Sequence, residues 1–394
     1  MEVVGVICEY NPFHLGHGRQ LRRIREALGP DTAVVCAMSG PFVQRGEPAV
    51  FGKDVRARAA VLCGADLVVE LPLTAALSSA EGFARGGVAV LTGLGVVDRL
   101  CFGCESGDGA ALDGTARVLL SPEFGPALRR RLESGVSFAA ARAAAAADLG
   151  ADASLLRRPN DILAVEYCKA LRQLGSPLRP LALRRPGDYH AAAPDPENPS
   201  ATALRALLAA GGDWQAYVPP AAAAVFSDAR RHAMAWGERA VLARLRALDD
   251  AAFQALPYGS EGLWRRLAAA CRREPSVEAI LRAVKSKRYA YARLMRMLQC
   301  AYLGLTAADL ARPAPHIRVL AFSAAGRRLL RAARARAALP VVNAGEVPPD
   351  RDYWALECRA ADLYALYAEG DPEPPGSEAA LRVFRAESQP AADS

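Results

Sequence analysis

Gly5-Val6-Ile7-Cys8-Glu9-Tyr10-Asn11-Pro12-Phe13-His14-Leu15-Gly16-His17 decides the fold of this chain. Read back to Glu2, its first part is an apolar run that ends at Cys8, the pattern of a strand buried on both faces. Its second part turns at Asn11-Pro12 and opens a helix over Gly16–Leu28. Free N–H groups and the positive dipole end gather at a helix start, so an anion is favoured there. Gly16 lets the backbone come close to that anion. His14 and His17, three residues apart, lie on the same side of the first turn. Two imidazoles so placed can donate hydrogen bonds to phosphate oxygens and stabilise charge on a phosphorus that becomes five-coordinate. The plain alternatives are a zinc pair or two surface histidines. The chain has only five histidines, and HxGH spacing just past a first buried strand favours phosphate chemistry. No GxxxxGK(S/T) occurs, so a simple P-loop is excluded.

Outward from this stretch, strand and helix patterns alternate. Thr32–Met38, Asp66–Glu70 and Asp98–Phe102 read as further strands. Helices over Lys53–Cys63 and Ser79–Leu91 separate them. Such alternation predicts an α/β fold with a doubly wound parallel sheet, whose ligands sit at the carboxyl ends of the strands. Helical patterns follow over Gly109–Leu120, Glu123–Glu133, Phe138–Leu149 and Asp161–Leu174, then a strand over Leu178–Leu183. A Pro-rich loop, Asp195–Pro199, feeds a helix over Ser200–Ala210. The boundary expected near Gly211–Pro220 gives a catalytic domain over 1–214. A helical, basic region spans 215–310, and an α-rich region spans 311–369. From Gly370 to Ser394, Pro, Glu, Asp and Ser dominate, and a disordered tail is expected.

With 394 residues the chain is long enough for two cores. Its mean hydropathy is +0.06, and no long uncharged apolar run suggests a membrane span. The opening lacks a basic n-region and a cleavage site, so no signal peptide is expected. Most of the nine cysteines sit in apolar runs, which suits reduced thiols in a cytoplasm. Cys101 and Cys104 have CxxC spacing but no second pair and no nearby His. They are read as packing residues, and no metal site is assigned. The net charge of +7 favours anionic partners, nucleotide or nucleic acid. Only Lys53, Lys169, Lys285 and Lys287 are lysines; the arginine bias resembles that of a GC-rich genome and is weak evidence for RNA by itself.

HxGH at this place is the hallmark of the nucleotidylyltransferase superfamily. Its second common element, a Ser/Thr-rich helix start, is similar to Ser200-Ala201-Thr202-Ala203-Leu204-Arg205. There Ser200 is a natural N-cap, and Ser200, Thr202 and Arg205 are candidate phosphate contacts. Longer stretches resemble the bacterial tRNA(Met) cytidine acetate ligases. They are the opening Gly5–His17, Ser39-Gly40-Pro41-Phe42-Val43-Gln44-Arg45-Gly46-Glu47-Pro48-Ala49, Gly64-Ala65-Asp66-Leu67-Val68-Val69-Glu70-Leu71-Pro72 and Phe102-Gly103-Cys104-Glu105. Pro159-Asn160-Asp161-Ile162-Leu163, Arg184 with Tyr189-His190, and Lys287-Arg288-Tyr289 continue it in order to about residue 300. Two departures stand out. Cys104 replaces a small polar residue, and Pro41 stands where the family often has Asn.

The resemblance implies a nucleotidylyltransferase-type sheet followed by a mainly helical C-terminal part. It implies that acetate attacks the α-phosphate of ATP to give acetyl-adenylate and pyrophosphate. The acetyl group then passes to the exocyclic amine of the wobble cytidine (C34) of elongator tRNA(Met), giving N4-acetylcytidine. His14 and His17 carry over as catalytic. The ATP cradle carries over as Ile7, Cys8, Glu9, Tyr10, Asn11, Pro12, Phe13, His14, Leu15, Gly16, His17, Gly18, Arg19 and Gln20. Gly103, Asn160 and Arg184 join it, with Arg185 as an extra contact. Mg²⁺ is expected to accompany ATP. Beside this, Gly103 follows the fourth strand, where a missing side chain leaves room for a base or ribose. Asn160 can donate and accept, and the planar fork of Arg184 suits phosphate. Arg45 and Lys53 follow the second strand and are placed facing the triphosphate or the RNA.

Lys285 to Arg296 reads as one helix. At about 100° per residue, Ala290, Leu294, Met297 and Leu298 share a face. Lys285, Arg288, Arg293 and Arg296 gather opposite, with Tyr289 among them and Lys287 nearby. A basic face with an aromatic fits RNA phosphates and stacking on an unpaired base. Arg327–Arg336 is a second basic candidate. The competing readings are an enzyme that adenylates a small metabolite phosphate and a non-catalytic RNA-binding protein. Chains of the first kind are usually shorter and lack a large basic helical part. The second has no use for both histidines and the Ser200–Arg205 segment.

Overall fold

The computed structural model describes residues 1–185 and 199–386. The apolar runs become β1 (Val3–Cys8), β2 (Ala33–Ser39), β3 (Leu67–Leu71), β4 (Arg99–Cys104) and β5 (Arg179–Arg184). They lie parallel in the order β5-β4-β1-β2-β3. Every residue of β2 and β3 is buried, as strands between two helical layers must be. Alternate side chains serve the two layers. Val4, Val6, Cys36 and Met38 pack with Leu21, Ile24 and Ala57 on one face. Val3, Val35, Leu67 and Phe102 pack with Phe83, Val88 and Val165 on the other.

The chain runs outward from β1 through β2 to β3, then returns across the sheet to place β4 beside β1. Strand order therefore reverses between β1 and β4, and a crevice opens beyond their carboxyl ends. The HxGH stretch leaves β1 into this crevice, and Gly103 and Cys104 end β4 beside it.

The C-terminal part does more than pack alongside. β6 (Ile317–Phe322) pairs antiparallel with β3 through Leu67↔Phe322 and Val68↔Ala321. β7 (Val341–Asn343) and β8 (Phe384–Arg385) follow one another along the other edge of β6. The region expected as α-rich thus completes the sheet. The segment from Gly370, expected as a disordered tail, instead carries a helical turn (Ser377–Ala380) and β8 as far as the described residues go. A buried charge holds it: Glu378, 1% exposed, accepts a hydrogen bond from Lys53 Nζ at 2.7 Å. Lys53 also donates to both oxygens of Glu70, at 2.8 and 2.7 Å. Lys53 therefore faces neither triphosphate nor RNA, because two buried carboxylates claim its charge.

A second core joins helices Met234–Arg246, Leu263–Arg273, Val277–Val284, Tyr291–Leu303 and Arg351–Tyr364. Phe42, Leu73 and Leu77 of the α/β part enter this core. Lys285 to Ala290 is not helical: one helix ends at Val284, the next starts at Tyr291, and Ser286 and Tyr289 form a β-bridge between them. Among the described residues, no helix is long and apolar enough to cross a membrane. Tyr189 and His190, most of the Asp195–Pro199 loop and residues 387–394 lie outside the described residues.

Candidate active site

His14 caps the helix Leu15–Leu28, and the two histidines share the task. The Gly16 N–H donates to His14 Nδ1 at 3.1 Å, and the His14 N–H donates to His17 Nδ1 at 3.2 Å. Their rings stack with centroids 3.6 Å apart. Because each Nδ1 accepts, the proton of each neutral ring sits on Nε2. Burial lowers the His14 pKa to about 3, aided by Arg185 and Arg205. Burial, His14 and Arg185 hold His17 well below the ordinary value. At neutral pH both rings are uncharged and present one N–H each. Gly16, which lines the cavity, also serves the cap. A Cβ there would lie 2.9 Å from Cε1 of His14, so the missing side chain makes room for the capping imidazole.

A cavity of about 320 Å³ lies over the β1/β4 edge. Ile7, Cys8, Glu9, Tyr10, Asn11, His14, Gly16, His17, Arg19 and Gln20 line it, as do Gly103, Asn160, Arg184 and Arg185. Pro12, Phe13, Leu15 and Gly18 do not. Phe13 is fully buried, edge-on to Tyr10 at 4.8 Å, and supports the loop from beneath. Arg23, Gln44 and Arg45 add polar groups, and Phe83, Phe102, Leu163 and Tyr167 add an apolar wall.

The loop after β4 and the helix Pro159–Gln173 hold each other. The N–H groups of Asn160 and Asp161 donate to the Glu105 carboxylate at 3.1 and 2.7 Å, and Asn160 Nδ2 donates to it at 2.7 Å. In return Asp161 Oδ1 accepts the N–H groups of Glu105 and Ser106. Asn160 Oδ1 accepts from Arg185 Nη1 at 3.0 Å. A Cβ on Gly103 would meet Arg185 Cγ at 2.9 Å, so the space read as room for a base or ribose holds this arginine. Arg184 is exposed at the rim, and its carbonyl accepts from Arg23 Nη1 at 2.5 Å.

Ser200 caps its helix, accepting the Ala203 N–H at 3.1 Å. Arg205 donates to the Asn11 carbonyl at 3.0 Å and to Thr202 Oγ1 at 3.4 Å, and lies 3.8 Å from Glu47. It braces the HxGH loop from behind; of this segment only Ala201 lines the cavity. Cys101 and Cys104 point to opposite faces of the sheet, one in each helical layer. A separation of three on a strand gives that result and forbids a shared ligand.

The basic stretch divides. Lys285, Lys287 and Arg288 are exposed, Arg288 pairing with Glu261 at 2.8 Å. Arg296 is not on an RNA-facing surface: it is 8% exposed and donates to the Gln44 carbonyl at 3.1 Å. Arg293 donates to the Tyr258 carbonyl at 2.9 Å and lies over the Tyr289 ring. Tyr289 is 5% exposed, so it cannot stack on a base. Arg327, Arg328, Arg331, Arg334 and Arg336 are exposed. Their helix starts beside Asp66, at the end of β3 away from the cavity.

A model of the HIGH Nucleotidyl Transferase family matches residues 1–377. A tRNA(Met) cytidine acetate ligase of Syntrophotalea carbinolica is 41% identical over 362 residues, covering 87% of this chain and 85% of its own length. The chain belongs to the tRNA(Met) cytidine acetate ligase family. A ligase of the same name from Acetivibrio thermocellus is 34% identical over 87% of this chain and 88% of its own. Among solved structures, apo TmcAL of Thermotoga maritima superposes with a TM-score of 0.89 at 29% identity, covering 98% of this chain and 100% of its own. TmcAL bound with alpha-thio ATP gives a TM-score of 0.88 over the same shares.

For a tRNA(Met) cytidine acetate ligase, the cavity's charge pattern is apt: its arginines surround two neutral imidazole donors. Reading the sequence missed Glu105 as the group that fixes Asn160, although Phe102–Glu105 carries part of the family resemblance. It also missed Arg23, which lies two turns along the helix that His14 caps.

Proposed function

We propose that this chain is an ATP-dependent ligase that joins acetate to the wobble cytidine of elongator tRNA(Met), forming N4-acetylcytidine, AMP and pyrophosphate. The observation that carries this reading is the pair of Nε2–H donors at the strand-order reversal, in a cavity flanked by Arg19, Arg23, Arg45, Arg184 and Arg185. An acetate oxygen attacks the α-phosphorus, and the bond to the β-phosphate oxygen breaks. The five-coordinate phosphorus gathers charge on its equatorial oxygens. Fixed N–H donors stabilise that charge without reorganising, since the capping bonds already hold both rings. Neutral histidines donate without drawing a proton onto themselves. The arginines stabilise the departing pyrophosphate. In the second half the cytidine N4 attacks the acetyl carbon, the acyl–phosphate bond breaks, and AMP leaves.

Mg²⁺ enters this reading with the triphosphate of ATP, as part of the substrate. Among the described residues, no three His, Cys, Asp or Glu side chains gather to hold a metal ion. Lys285, Lys287 and Arg288 are the proposed RNA contacts of the helical part. They lie one turn before the helix whose Arg296 grips the loop of Gln44 and Arg45, so bound RNA is delivered beside the cavity. The catalytic domain is proposed to span 1–214, with its sheet completed from the C-terminal region.

Pyrophosphate release from ATP tests the reading, measured with acetate, with metabolite phosphates and with tRNA(Met). Acetate-dependent release, with acetyl transfer to tRNA(Met) alone among tRNAs, is expected. Release only with a metabolite phosphate would overturn it.

A further inference from the structure

Glu9 is the one carboxylate among the described residues that line the cavity; the other permanently charged groups there are arginines. Both substrates of the first half-reaction, ATP and acetate, are anions, and a carboxylate repels them. Its presence therefore asks for a partner that is a hydrogen-bond donor. Glu9 is also firmly placed. The Gln44 N–H donates to its Oε1 at 2.7 Å, and its own carbonyl accepts from Arg56 Nη1 at 2.6 Å. Oε2 makes no hydrogen bond among the described residues.

We propose that Glu9 meets the exocyclic amine of the target cytidine and takes its proton as the acetyl group is transferred. The inference rests on the acetate-ligase reading above and concerns only its second half. As N4 bonds to the acetyl carbon and the acyl–phosphate bond breaks, one N4 proton must leave. The two histidines are unsuited to receive it, because each Nδ1 already accepts a backbone N–H and each Nε2 carries a proton. The arginines hold their protons permanently. Tyr10, Tyr167 and Cys8 also line the cavity, but burial raises their pKa values and makes their anions unavailable. Glu9 Oε2 is left as the acceptor, and burial raises the carboxyl's proton affinity. The proton passes from Glu9 to solvent or to AMP as it departs.

Recognition follows from the same atom. A carboxylate accepts from the N4 amine of cytosine, whereas uridine presents an oxygen at that position. The location agrees as well. Glu9 lies at the Gln44–Arg45 side of the cavity, where Arg296 ties the loop to the basic turn proposed to hold RNA.

Glu9→Gln tests the proposal, since the amide keeps an oxygen for the Gln44 N–H. Three rates are compared with wild type: acetate-dependent ATP–pyrophosphate exchange, acetyl-hydroxamate formation with hydroxylamine in place of tRNA, and single-turnover acetyl transfer to tRNA(Met). Transfer to tRNA falls at least about 100-fold further than exchange and hydroxamate formation do, the usual loss when a positioned proton acceptor is removed. Transfer at the wild-type rate overturns the proposal. So does joint loss of exchange and transfer, which would place Glu9 in the adenylation step or in its Mg²⁺. If the wild-type protein shows no acetate-dependent exchange at all, the ligase reading fails instead, a result separate from either.

Discussion

Replacing His14 with Asn should change how stability depends on pH, by an amount that the structure sets. His14 is 2% exposed, and its pKa is lowered from 6.5 to about 3, chiefly by burial. Its neutral ring contributes stability fully present above the unfolded value of 6.5 and lost as pH falls toward the folded value. In that window the unfolded chain binds a proton that the native state refuses. Each pH unit then removes about 1.4 kcal/mol, so at pH 5 His14 alone has cost about 2 kcal/mol relative to neutral pH. The asparagine side chain of His14→Asn can still accept the Gly16 N–H as a cap but does not titrate. Urea unfolding at pH 7.5, 6 and 5 reads the difference. The wild-type protein should lose about 2 kcal/mol more than His14→Asn between the first and the last. Equal pH slopes would refute a buried neutral imidazole, and with it the pair of fixed Nε2–H donors on which the proposed adenylation chemistry depends.

Gly16→Ala puts a methyl group 2.9 Å from the His14 ring; it should cut acetate-dependent pyrophosphate release about 10-fold or more while leaving the fold intact by circular dichroism. Lys287→Ala with Arg288→Ala should weaken tRNA binding and flatten its salt dependence by about two phosphate contacts. Arg296→Ala should instead lower stability by about 1–3 kcal/mol, since it loses a buried charge-assisted hydrogen bond to Gln44; filter binding across salt and urea unfolding separate the two outcomes. Glu378→Ala should lower unfolding stability by about 2–4 kcal/mol by leaving Lys53 with one carboxylate, and a loss below about 0.5 kcal/mol would show the cluster to be dispensable.

The parallel half of the fold was legible because its strands are buried on both faces. Val34 to Met38 and Leu67 to Val69 have no polar residue to mislead, and the helices between them announce themselves by period. β6 was harder to read. Ile317-Arg318-Val319-Leu320-Ala321-Phe322 is interrupted by an arginine, which is tolerated inside the protein because Glu357 accepts from it at 2.8 Å and the carbonyls of Asn343 and Glu346 at 3.3 and 3.0 Å. A pairing partner of such sequence separation leaves no local trace. The histidine pair was legible from spacing alone, yet its reciprocal capping was not, because histidine is a rare N-cap. The stretch from Lys285 to Arg296 misled because its period is helical throughout. Tyr289 turns inward to the second core and breaks the helix that local preference supports.

The placement of β6 and Glu378 bears on how this molecule comes off the ribosome. A nascent chain that has just emitted its first 214 residues already contains both histidines and most of the cavity. It also carries an open edge at β3 and a lysine whose second counter-charge has not been synthesised. Sheet edges left bare in this way invite pairing with other chains. The β3 edge and Lys53 therefore gain their partners only once β6 and Glu378 have been made, and a chain interrupted before them leaves both exposed.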